Sequence, residues 1–179
     1  MRDQFLNQDL DCLADPSHLC LIVGTALLEA DIGRGTGVLS QIRRSYVRPS
    51  TDEDGHPIIA VKGNVTRKTN SGKSKHYKPM DFRIRGQQEV KAVNLLLSKL
   101  PPVGCQYCIL STPSQPVGES SECSCDCLFF RSVDPIKWRH ADNVWFVRTK
   151  WSREKLSGIT AMVSKEAGTK KRYTNGKAY

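Results

Sequence analysis

The sequence predicts an α+β fold in which helices surround a small antiparallel sheet. Three observations carry that expectation. Apolar residues recur at helical spacing in "PSHLCLIVGTALLEADIG" and again in "QQEVKAVNLLLSKLPP", and between them lie two strand-like segments, "HPIIAVKG" and "HYKPMDFRI", set off by turn signals. With 179 residues, 39% of them hydrophobic, the chain can bury the core of one ordinary domain.

The first helix places Leu19, Ile22, Val23, Ala26 and Leu27 on one face. Pro16 suits its first turn, where the missing N–H has no partner to lose, and Gly33 suits its end. "RPSTDEDGHPIIAVKG" reads as a turn at Asp54-Gly55 leading into a strand of Ile58, Ile59, Ala60 and Val61. A second turn, "NSGKSK", precedes the partner strand. In the helix that follows, Val90, Val93, Leu96, Leu97 and Leu100 share a face before the Pro-Pro stop. Residues 101–127 are rich in Pro, Ser, Gly and Cys and read as a long insertion, after which "CLFFRSV" suits a short buried strand. "NVWFVRTKWSREKLSGITAMVSKEAG" then predicts an aromatic strand and a single helix with Leu156, Ile159, Met162 and Val163 on one face, Ser152 as N-cap and Gly168 as stop.

No run of about 18 apolar residues exists, which excludes a membrane-spanning helix. The opening "MRDQFLNQDLDCLADP" lacks the apolar core of a signal peptide, so an intracellular location is expected. Lys and Arg outnumber Asp and Glu 27 to 18, giving a net charge of +9 that favours a polyanionic partner such as DNA. The excess is concentrated in residues 62–85, where Lys62, Arg67, Lys68, Lys73, Lys75, Lys78, Arg83 and Arg85 face a single acid, Asp81. On adjacent strands such cations can track a duplex backbone without reading its sequence. Arg43, Arg44 and Arg48 can extend that surface; a solvated edge strand guarded by lysines is the plainer alternative.

The seven cysteines are an odd number in a chain with no secretory signal, which argues against a disulfide framework. Cys105, Cys108, Cys123, Cys125 and Cys127 crowd into one insertion as a Cys-x2-Cys pair followed by Cys-x-Cys-x-Cys. Thiolates so spaced can close a tetrahedral site, so a structural zinc is one expectation and unligated, redox-sensitive thiols the other. His140 is a further candidate ligand. "GRGTG" lacks the ending of a phosphate-binding loop and does not follow a strand, so it reads as a helix stop and turn.

Taken in order, four pieces resemble the catalytic domain of Crypton-type tyrosine recombinases and their domesticated relatives in MYM-type zinc-finger proteins. They are a helix from "DPSHLC" that leads to Arg34-Gly35; the "DEDG" turn, strand and "RKTNSG" turn; the helix "EVKAVNLLLSKLP" leading to an "LFF" strand; and "DNVWFVRTKWSREKLSGITAMVSKEAGTKKRYTN". The resemblance covers residues 13–175 as a partial recombinase-like domain, with residues 1–12 and 176–179 as tails. It implies that Arg34 matches the family's first catalytic arginine and Lys68 the lysine carried on the sheet, as vestigial candidates. These groups would stabilise charge on a phosphate and protonate a leaving hydroxyl while a tyrosine attacks.

In the family a His-Ser-x-Arg motif and a distant tyrosine follow Tyr-Thr-Asn, whereas here Tyr173-Thr174-Asn175 is followed by "GKAY". The resemblance therefore implies a domain interrupted before its second arginine and nucleophile, with apolar surface exposed around Leu27 and Met162. The function it implies is that of a transposon-derived, nuclear, DNA-binding remnant without catalysis. A zinc-stabilised protein-interaction module, or the amino-terminal piece of an active recombinase, are the competing readings.

Overall fold

The computed structural model describes residues 16–30, 39–68, 75–100, 126–132 and 145–166. They form a mixed helix and strand fold with a small three-stranded antiparallel sheet and a separate two-stranded one.

Helix α1, Pro16–Ala30, is the centre of the packing. Its sequence is apolar nearly all round, and such a helix is stable only when covered on every side. Accordingly Cys20, Leu21 and Leu28 are buried along with Leu19, Ile22, Val23, Ala26 and Leu27. The face expected from spacing is thus only part of what this helix hides.

Strands β1 (Val47–Thr51), β2 (Pro57–Lys68) and β3 (Lys75–Ile84) form the larger sheet in that order. The β2–β3 hairpin matches the sequence expectation, whereas no strand was expected at β1. "VRPST" carries Pro49, which lacks the N–H of a ladder donor, and an edge strand is where a sheet tolerates that. The β1–β2 connection is held by Asp52, whose Oδ1 accepts the backbone N–H groups of Asp54 at 3.1 Å and His56 at 2.8 Å. Gly55 takes the left-handed conformation there (φ 82°), which a side chain rarely adopts.

Helix α2, Gln87–Lys99, buries Val90, Ala92, Val93 and Leu96 against α1 and the sheet. Strands β4 (Phe130–Ser132) and β5 (Phe146–Lys150) pair antiparallel with a register irregularity, so the two aromatic segments expected from sequence are partners. Beyond them Trp151 donates its backbone N–H to the Phe129 carbonyl at 3.2 Å and stacks on the Phe129 ring, with centroids 6.0 Å apart.

The last helix differs from expectation: α3 (Arg153–Ser157) and α4 (Ile159–Glu166) are separate, divided at Gly158. Gly158 sits at φ −90°, ψ 1°, outside the helical well, and donates its N–H to both Glu154 and Lys155 carbonyls. The glycine, a poor helix former, is a low-cost place for the break, and Leu156 before it and Ile159 after it are both buried. Ser152 is the N-cap as expected, its Oγ accepting the Lys155 N–H at 3.2 Å. Gly168 lies outside the described residues.

The apolar exposure expected around Leu27 and Met162 is also corrected. Leu27 is 2% exposed and Met162 packs against the core; among the described residues the exposed large hydrophobic is Val147. Helix α4 covers this part of α1, with Ile159 seated on Gly24.

Candidate nucleic-acid interface

Alternation along β2 and β3 divides the basic segment between two faces of the sheet. On the core face lie Ile59, Val61 and Val65 of β2 with Met80 and Ile84 of β3, all buried, and Val47 of β1 beside Val61. On the other face the residues in register are Arg48, Ala60 and Arg83 across all three strands, then Lys62 opposite Asp81, then Asn64 opposite Pro79. Arg48, Lys62, Asp81 and Arg83 are exposed, so this is the solvent face.

The cations of residues 62–85 that lie on β2 and β3 fall on register positions of both parities. Lys62, Lys68, Lys75 and Arg83 occupy positions of the solvent-face parity, with Lys68 paired to Lys75 at the far end of the hairpin. Arg67 and Lys78 occupy positions of the opposite parity, opposite His76 and Val65 respectively. Arg85, just past β3, is exposed. Lys73 and Arg34 lie outside the described residues.

Strand β1 supplies what the sequence reading left vague. Arg48 belongs to the same face as Arg83, with only the small Ala60 between them. Arg43 instead makes an isolated backbone bridge with Cys127, and Ser45 holds Asp126 through both its N–H (3.0 Å) and its hydroxyl (2.7 Å). The end of the cysteine-rich insertion is thereby fastened beside β1. Lys62 is not a free cation: its Nζ lies 3.3 Å from Asp81 Oδ2. Neither Arg48 nor Arg83 has an ion-pair partner among the described residues.

Of the five cysteines expected to offer a zinc site, Cys127 is described and is half-buried and outside any disulfide; Cys105, Cys108, Cys123 and Cys125, like His140, lie outside the described residues. Among the described residues a different group could hold a metal ion. Asp52, Asp54 and His56 bring one ligand atom each within 4.8 Å of one another on the β1–β2 turn. Asp54 and His56 are exposed, and one oxygen of Asp52 already accepts two backbone N–H groups. Those bonds define the turn. The His56 N–H is the chief reason the Asp52 carboxyl titrates below the ordinary carboxylate range, with the Asp54 N–H and the charges of His56 and Arg85 adding to it against partial burial.

No protein-family model matches this chain, and neither a curated protein nor a solved structure is detectably similar to it. No helix among the described residues is long and apolar enough to cross a membrane.

Proposed function

We propose that this chain is a nuclear DNA-binding module, derived from the catalytic domain of a Crypton-type tyrosine recombinase, that binds the duplex backbone on the solvent face of its three-stranded sheet without cutting it. The observation that carries the binding reading is the row of Arg48, Ala60 and Arg83: two guanidinium groups, without an ion-pair partner among the described residues, on the two outer strands of one exposed face. Guanidinium suits phosphate because its planar fork donates two parallel hydrogen bonds to an anion. Exposed basic side chains of this kind position a protein on DNA through its phosphates and carry no sequence code.

The recombinase ancestry is supported by element order. Helix α1, a three-stranded antiparallel sheet whose second strand ends at Lys68, and helix α2 follow one another as the resemblance implies. Trp145, strand β5 and the helices α3 and α4 come later in the chain, in the order that the resemblance implies for an aromatic strand and helix.

Fluorescence anisotropy with labelled duplexes of about 25 base pairs and unrelated sequence tests the proposal. Comparable affinity across sequences, falling linearly in log-log form with added salt, is the expected result. Absence of binding at low salt would overturn it.

A further inference from the structure

The proposed DNA surface contains one acid, and its position gives it a specific effect. Asp81 stands directly opposite Lys62 in the β2–β3 register, one pair along from the arginine row, and its carboxylate contacts the lysine ammonium. Both side chains are roughly two thirds exposed, so the pair forms in water and remains open to competition. A phosphate approaching Lys62 must displace Asp81 and then sit beside its charge. A phosphate approaching Arg48 or Arg83 displaces no paired acid.

Resting on the DNA-binding reading above, we propose that the Arg48 and Arg83 pair is the phosphate clamp of this surface and that Asp81 is a built-in brake which withholds Lys62 from it. The spacing suits the task. Arg48 and Arg83 are two strands apart, so their backbones are separated by about 10 Å. Each long side chain can swing over the intervening Ala60, whose single methyl group leaves the middle of the row low. The clamp thus has room for a polyanion between two charges that repel one another in its absence. Arg85 lies past the end of β3 and has no partner in the cross-strand register. Affinity is accordingly set by two arginines and limited by one carboxylate.

The test is anisotropy of a labelled 25-base-pair duplex at several salt concentrations, with the full chain and the variants R48A, R83A, K62Q, D81N and K62Q/D81N, each checked for parental circular dichroism. R48A and R83A are expected to weaken binding by about 3- to 10-fold and to make the salt slope shallower by about one unit each. R48K and R83K should recover most of the slope but less of the affinity, since the charge returns without the fork. K62Q should change little. D81N should tighten binding by about 3-fold or more and steepen the slope, and K62Q/D81N should lose the part of that gain due to the freed lysine. A parent chain that does not bind overturns the DNA reading and this inference together. A parent that binds, with K62Q as damaging as R83A or with D81N no tighter, overturns this inference alone.

Discussion

Tyr46 lies with its ring over Gly63, so close that a β-carbon on residue 63 would overlap three atoms of the ring. The tyrosine comes from the short turn Arg44–Tyr46 that leads into β1, and its hydroxyl donates to the Asn64 carbonyl at 3.4 Å. Gly63 is on the core face of β2, opposite the buried Met80. The ring therefore covers the gap that a glycine opens in a sheet and fixes how β1 enters it. Gly63→Ala should destabilise the chain by about 1 to 3 kcal/mol, because the ring must leave this position to admit a methyl group. Urea denaturation of the parent and the variant measures this, and Gly63→Ala combined with Tyr46→Ala should show a cost smaller than the sum of the two singles.

A second close approach joins the ends of the described chain. A β-carbon on Gly24 of α1 would stand 2.5 Å from Ile159 Cδ1 of α4. Alanine is the better helix former by about 1 kcal/mol, so the two effects oppose each other in Gly24→Ala. The clash is expected to win in the parent and to vanish in the Ile159→Val background, which removes the methyl group in question. The coupling between the two substitutions should be favourable by about 1 kcal/mol, read from denaturation midpoints. Strict additivity would mean that α4 does not sit on α1 as described.

The cap of α3 gives a third prediction. Ser152→Ala removes the acceptor for the Lys155 N–H and should cost about 0.5 to 2 kcal/mol, whereas Ser152→Asp should retain most of the stability. The Glu154 carboxyl titrates below its ordinary range because its own backbone N–H and the Ser152 side chain donate hydrogen bonds to it, with Arg153 adding charge. Ser152→Ala should raise that pKa toward the ordinary value, a change visible in the carboxyl carbon shift during an NMR titration.

Asp52 supplies the pH dependence of the β1–β2 turn. Its folded pKa is lowered, so its contribution is complete above the unfolded value of about 4 and is lost as pH falls through the folded one. Asp52→Asn keeps an oxygen that can accept the Asp54 and His56 N–H groups but removes the charge. The stability gap between parent and Asp52→Asn should accordingly be largest near neutral pH and close as the pH is lowered below about 4. Asp52→Ala should be less stable than Asp52→Asn at every pH, since it loses the acceptor as well. A gap that widens on acidification would contradict the assigned hydrogen bonds.

Much of the fold was legible because its signals are local. Pro16 at the start of α1, the apolar stripe and Pro-Pro stop of α2, the Asp-Gly turn and the Ser152 cap each act within a few residues. Strand β1 was not legible, since "VRPST" has the composition of a loop and becomes a strand only because β2 offers it a ladder. The sequence reading carried one helix from Ser152 to Gly168, whereas the chain divides at Gly158 into two.

The candidate interface shows the same division. The sequence by itself determined that cations accumulate between residues 62 and 85 and that Asp81 stands among them, because charge is a property of composition. Only the tertiary structure decided which of them act together. Strand alternation separates Arg67 and Lys78 from Lys62 and Arg83, cross-strand register sets Asp81 against Lys62, and the pairing of β1 with β2 brings in Arg48 from outside the segment. The physical reason is that a phosphate responds to charges within a few ångströms in space, and distance in space across a sheet is fixed by register and face, neither of which is written in any one strand.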